Sequence, residues 1–390
     1  MRNDVTVNLP GLKGTLQPYI LGKPLQYAPG LTPITDRVLY AAVHVVADPN
    51  AANTPNAPVK LDWDATLRYR HHLWSYGLGV AEAMDTAQRG MGLDWTATKD
   101  LINYSLIEAR SVGGMIACGA GTDQLPEEEL HSLDRITEAY EEQCAFIEER
   151  GGRVILMASR ALAATARTGD DYLKVYSRVL NQVSSPVILH WLGEMFDPKL
   201  AGYWGSHEWE EAMAVMLSII ENNQAKIEGM KMSLLDASKE IIMRRQLPAD
   251  VKMFTGDDFN YPSLIKGDSE GYSHALLGIL DVIGPAVAAA VSALQEGNER
   301  AYDDILNPTV PLAHRIFEAP TYYYKTGLVF LAYLNGHQEH FRLIGGIERR
   351  RSLRHFIQVF QLADKAGLLS NPDLAANRMQ SIIDQQTETG

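Results

Sequence analysis

The chain has 390 residues, 46% of them hydrophobic, and a formal net charge of -13. That much apolar chain supports one large domain with a sizeable core and excludes a disordered protein. No basic block dominates, which argues against nucleic acid and anionic membrane as partners and leaves a small-molecule substrate. Two cysteines, Cys118 and Cys144, allow neither a disulfide framework nor a thiolate metal cage. The N-terminal MRNDVTVNLPG lacks an apolar signal core, and no apolar run reaches the roughly eighteen residues of a membrane span. The expectation is a cytoplasmic protein in a reducing compartment.

Taken in order, residues 1–36 are rich in proline and glycine and lack periodicity, which predicts an extended arm. RVLYAAVHVV (37–46) reads as a buried strand, and 62–76 as a helix capped by Asp62 or Asp64. Further strands are expected at 79–84, 114–118, 153–159, 186–191, 226–231, 251–255 and 271–276. Helices at 94–112, 127–149, 170–183 and 209–222 alternate with them. This alternation predicts an α/β fold, a (β/α)8 TIM barrel over 37–292. A doubly wound sheet is weakened by the lack of Gly-x-Gly-x-x-Gly after the first strand. Residues 293–390 hold no clear strand and read as a C-terminal helical appendage.

Chemistry in such barrels gathers at the carboxyl ends of the strands. Those ends carry His44, Asp85, Thr86, Arg160, His190, Lys231, the pair Asp257-Asp258 and His274. Lys231, in KIEGMKMSLLD, would point into the barrel, where burial makes an ammonium costly and a neutral amine available. A salt-bridged or solvent-reaching lysine is the simpler reading of that residue alone. His44 and His190 are either hydrogen-bonded core histidines or site residues. His274 leans toward a structural role, and Arg160 fits either a carboxylate clamp or a loop salt bridge. Glu82, inside the second strand, must be paired or protonated if buried. The run Glu348-Arg349-Arg350-Arg351 reads as a solvated or interface face, and Tyr322-Tyr323-Tyr324 as interface or core.

KIEGMKMSLLD, FTGDD and GDSEGYSHALLGILDVIGPAVAAAVSALQEGN together resemble the dihydrodipicolinate synthase / N-acetylneuraminate lyase family of class I aldolases. The resemblance covers roughly 37–335 and is best over 226–298. It implies a barrel with a C-terminal helical extension, a homo-oligomer, and a lysine that forms a Schiff base with a 2-keto acid. Lys231 stands at that lysine, Thr86 at a carboxylate-holding threonine, and His190 at the family's catalytic tyrosine. The second threonine and the glutamate of the Gly-Thr-Thr-Gly-Glu motif are missing, and Arg160-Ala161 replaces a pair of tyrosines. These departures mark a divergent branch, for which neither dihydrodipicolinate synthesis nor sialic acid cleavage follows.

The expected activity is that of a lyase, of aldolase or dehydratase type, on a 2-keto acid or keto-sugar derivative. Lys231, His190 and Thr86 would be catalytic, and Arg160, His44, His274 and Asp85 would bind substrate; no cofactor or metal is expected. One rival is a sugar isomerase or epimerase with a metal among His44, His190, His274 and Glu82. Another is a barrel that binds a metabolite without turnover.

Overall fold

The computed structural model describes residues 4–11, 15–29, 33–55 and 57–388. Its first element is an antiparallel hairpin, β1 (Thr6–Pro10) and β2 (Leu16–Ile20). The Tyr19 hydroxyl donates to Asp364 Oδ2 at 2.7 Å, and the Gly22 N–H donates to the same carboxylate. The N-terminal arm therefore carries a hairpin and docks on the C-terminal helices, a long-range packing that local periodicity cannot register.

Eight further strands are all parallel: β3 (Leu39–Ala42), β4 (Gly79–Glu82), β5 (Ile116–Ala120), β6 (Arg153–Leu156), β7 (Val187–Leu192), β8 (Ile227–Ser233), β9 (Lys252–Thr255) and β10 (His274–Leu277). They close as β10-β3-β4-β5-β6-β7-β8-β9, with helices between them, and the fold is a (β/α)8 barrel. Their sequences are continuous apolar runs because both faces are covered. Every residue of β3 and β7 is buried. Alternate side chains fill the inside of the ring, among them Tyr40, Ala81, Ala117, Ile155, Ile188, Phe254 and Leu276. The other set packs outward against the helix layer. Beyond the barrel, the helices Glu299–Leu306, Val310–Ile316, Lys325–Leu334, Leu353–Lys365 and Pro372–Glu388 form the C-terminal region. No helix among the described residues is long and apolar enough to cross a membrane.

Glu82, the last residue of β4, is buried and paired. It points outward and meets the guanidinium of Arg70, on the helix Trp63–Ser75, through two hydrogen bonds of 2.9 and 3.0 Å. Ser105 Oγ and the Ala83 N–H also donate to it, so the buried carboxylate is fully satisfied. Removing one partner of such a pair strands the other charge in an apolar layer. Glu82→Ala should lower unfolding stability by about 3–5 kcal/mol, measured by urea denaturation. A loss below about 1 kcal/mol would show that the Arg70 charge is not held there.

Candidate active site

Lys231 is the fifth residue of β8, in register with His190 on β7 and Phe254 on β9. Phe254 lies inside the ring, so the same parity turns Lys231 and His190 inward. Lys231 retains 5% exposure, and among the described residues no hydrogen bond or ion pair holds its amine. Gly256, one residue past β9, explains how the side chain fits. A Cβ at that position would sit 2.9 Å from Lys231 Cε and 2.1 Å from Ser233 Oγ.

Burial lowers the Lys231 pKa from its ordinary value, and the nearby carboxylates of Asp85 and Asp258 only partly restore it. Burial raises Asp258 to about 8, so it favours the protonated acid at neutral pH; its Oδ1 accepts the Ile279 N–H at 2.8 Å. Burial and then the Lys231 charge push His190 well below its usual value, which leaves a neutral imidazole. His190 Nε2 lies 3.2 Å from Ser233 Oγ, while Nδ1 is buried without a partner.

Asp85 follows β4 after Ala83, whose φ of 55° turns the chain into a short 3-10 segment, Asp85–Ala87. Burial would raise its carboxyl, but Lys325, Lys231, His190 and the Tyr324 hydroxyl outweigh that and hold it below the usual carboxylate range. The Tyr324 hydroxyl donates to Asp85 Oδ2 at 2.8 Å and lies 2.7 Å from Thr86 Oγ1, which completes a Thr86–Tyr324–Asp85 chain. Lys325 Nζ stands 3.9 Å from Asp85 and donates to the Tyr322 carbonyl at 3.2 Å; burial brings its pKa down to about 8. A cleft of about 540 Å³ runs outward from Asp85 over the carboxyl ends of β4 to β7.

Lys231, His190, Asp85 and Thr86 are thus gathered in one place. Arg160 lies on the cleft wall as the first residue of a short helix, Arg160–Thr165. Its guanidinium is taken by Asp197 at 2.5 Å, by Glu127 and by the Gly90 carbonyl at 3.1 Å, so it has the loop salt-bridge arrangement. Two expected placements are corrected. His274 opens β10 at its amino end, where Nδ1 accepts the Val38 N–H at 2.9 Å, because the strand begins later than 271. His44 lies past the end of β3 and turns to the helix layer, where it pairs with Asp281 at 2.7 Å and Gln338 at 3.2 Å. With Glu82 also facing outward, the four side chains of the metal-site reading stand apart. No group of three or more His, Cys, Asp or Glu among the described residues is arranged to hold a metal.

Tyr324, Lys325, Ser233 and the nearness of Asp258 to Lys231 were not apparent from sequence. Tyr324 and Lys325 arrive from the C-terminal region, over two hundred positions from Asp85 (238 separate Tyr324 from Thr86). The only local signal was the aromatic run that ends in Lys325.

The sequence matches, over residues 7–387, the family described as "Protein of unknown function (DUF993)". The chain belongs to this family. No curated protein matches it in sequence. Solved structures that share its fold include dihydrodipicolinate synthase from Aquifex aeolicus, with TM-score 0.63 and 13% identity over 85% of this chain and 99% of that one. The enzyme from Thermotoga maritima gives TM-score 0.62 and 15% identity over 86% and 100%. The 4-hydroxy-tetrahydrodipicolinate synthase of Methylacidiphilum fumariolicum SolV gives 0.62 and 13% over 90% and 99%. At these identities the likeness concerns the fold, and it bears out the dihydrodipicolinate synthase-like barrel read from KIEGMKMSLLD and FTGDD in this DUF993 chain.

The close approach at Gly256 makes a direct test of the site's packing. Gly256→Ala should cost about 1–3 kcal/mol in denaturant unfolding through overpacking against Lys231 and Ser233. Because the Met232 carbonyl oxygen also lies 2.8 Å from the added Cβ, an unchanged midpoint would mean that β8 does not approach Gly256 this closely.

Proposed function

We propose that this protein is a class I lyase that acts on a 2-keto acid or keto-sugar derivative through a Schiff base on Lys231. The observation that carries the reading is an inward-facing, desolvated amine that no carboxylate holds within ion-pair distance among the described residues. A neutral amine of this kind adds to a carbonyl, and loss of water from the carbinolamine gives the imine. The protonated imine then accepts the electron pair of a carbon–carbon bond breaking at the neighbouring carbon, or of a C–H bond whose proton leaves to a base. In a dehydration the resulting enamine returns the pair as the hydroxyl on the next carbon departs as water.

Carbinolamine collapse needs proton transfers, and the site holds three groups suited to them. The Tyr324 hydroxyl, hydrogen-bonded between Thr86 and Asp85, relays a proton across the pocket. Asp258, protonated near neutral pH, stands as an acid beside Lys231. His190 is neutral and presents an unpartnered Nδ1, which suits a base or a hydrogen-bond acceptor for a substrate hydroxyl. This assignment puts a phenol back into the barrel from the C-terminal region, while imidazole occupies the position the family resemblance gives to tyrosine. The cleft beyond Asp85 has room for the rest of a small substrate. Its cations Arg89, Arg160 and Lys199 are each already paired with a carboxylate.

Incubation with pyruvate and a panel of 2-keto acids, followed by borohydride and peptide mass spectrometry, should place a reduced adduct on Lys231. Lys231→Ala should abolish it. Adduct only on Lys325, or none with any keto acid, sinks the proposal. Because the neutral fraction of Lys231 grows as pH rises through a lowered pKa, trapping should reach its plateau below the ordinary lysine value of 10.5. Once a substrate is known, Tyr324→Phe should reduce kcat about 10²–10⁴-fold with imine trapping largely retained. Full turnover in that variant removes the phenol from the mechanism.

A further inference from the structure

Away from the barrel mouth, the helix Leu353–Lys365 begins at a hollow of about 200 Å³ lined by Arg315, Glu318, Ser352, Arg354, His355 and Gln358. Three features of this hollow point the same way. First, its charge is positive in a chain of net charge -13: Arg315 and Arg354 line it, Arg351 lies beside it, and Glu318 is the one carboxylate on its wall. Second, it lies at a helix N-terminus. Ser352 Oγ accepts the His355 N–H, and the free N–H groups of the first turn add partial positive charge. Third, His355 is only 4% exposed and unevenly satisfied. Its Nδ1 lies 2.6 Å from Glu318 Oε1, while Nε2 has no partner; neither has the Nε of Arg351.

We propose that this hollow is a binding site for a small tetrahedral dianion, the phosphate-monoester group of a soluble metabolite, for which free sulfate serves as the probe. Arg354, exposed and without an ion pair among the described residues, supplies the free guanidinium. The first-turn N–H groups and His355 Nε2 supply neutral and protonatable donors. Glu318 opposes the anion, but it is already engaged by Arg315 and His355.

The location gives such a ligand a consequence. Arg351 donates to the carbonyls of Ala319, Glu318 and Pro320 at 3.2, 2.7 and 2.9 Å. That loop runs directly into Tyr324 and Lys325 at the barrel mouth. An anion held at His355 and Arg354 therefore stiffens the base of the segment that completes the candidate active site. This site is independent of the Schiff-base reading and stands or falls on its own.

His355 also couples binding to protons. Burial is the main reason its pKa lies below the ordinary value; Arg351 and Arg315 push it the same way, and Glu318 pulls against them. The free site thus favours a neutral ring at pH 7, and an anion at Nε2 is held better once that nitrogen takes up a proton from solvent.

Calorimetric titration of the full chain with sodium sulfate, at ionic strength held constant with chloride, should show one saturable site. Arg354→Ala, a surface change, should weaken it about tenfold. Sulfate keeps its charge between pH 8 and pH 6, so tighter binding at pH 6 in the wild type, lost in His355→Gln, reports the imidazole. Hydrogen exchange over residues 316–325 should slow when sulfate is bound. Absence of saturable heat, equal affinity in Arg354→Ala, or binding to phosphatidate vesicles without binding to free sulfate overturns the proposal. Binding that does not change with pH removes His355 from it.

Discussion

An amine enclosed by a ring of strands has almost no water to hold its charge, and the arrangement around Lys231 follows from that. Two carboxylates, Asp85 and Asp258, lie close enough to favour the ammonium, yet burial outweighs them and the pKa stays lowered. The balance rests on what else binds those carboxylates. Asp258 is itself raised to about 8 and accepts the Ile279 N–H. Asp85 takes the Tyr324 hydroxyl and has Lys325 nearby. A carboxylate committed elsewhere does little to keep a neighbouring ammonium charged, since the interaction falls with distance and with the protons already around it. Gly256 completes the constraint by leaving room for the lysine stem where any Cβ would collide.

The C-terminal region contributes to the candidate site as well as adding to the barrel. Tyr324 and Lys325 close over Asp85 and Thr86, and the Tyr322 hydroxyl donates to the Gly90 carbonyl at 2.9 Å. Phe317, Tyr324 and Phe196 pack as a stacked and edge-on group that fixes the phenol. Loops that emerge from strands β4 to β7 are thereby joined to a segment from beyond the eighth strand. Barrels vary their chemistry through what is placed above the carboxyl ends of the strands. Here much of that variation lies after the barrel has closed.

Particular residues show what sequence could and could not reveal. The barrel was readable because each strand is an apolar run flanked by turn residues, a local signal that does not depend on partners. The placement of Lys231 on an inward-facing strand was readable for the same reason, since its run and the Gly256-Asp257-Asp258 turn are both local. His44 lies in an apolar run, yet its ring is claimed by Asp281 and Gln338, far along the chain and invisible to periodicity. His274 failed on a boundary: the strand starts at that residue, so an expected carboxyl-end side chain belongs to the opposite end of the barrel. Arg351 sits in a charged run that looks solvated, but it is buried and grips three backbone carbonyls. For His44 and Arg351 a partner distant in sequence decided the outcome; for His274 it was the first residue of a strand.

His190 is where the divergence from the resembled family has most chemical consequence. A phenol at that position would be a weak acid with a hydroxyl to donate, whereas a buried neutral imidazole beside Lys231 resists taking a proton. Protonating it would set two cations in adjacent positions of neighbouring strands. The ring is therefore better suited to accept a hydrogen bond or, on the proposed Schiff-base reading, to take a proton once the amine has become an imine. In the proposed Schiff-base reaction the acid function would fall to groups already carrying a proton, the Tyr324 hydroxyl and the Asp258 carboxyl. Burial thus drives the titrations of His190 and Asp258 in opposite senses around one amine, the condition under which the proposed base and acid would operate at the same pH.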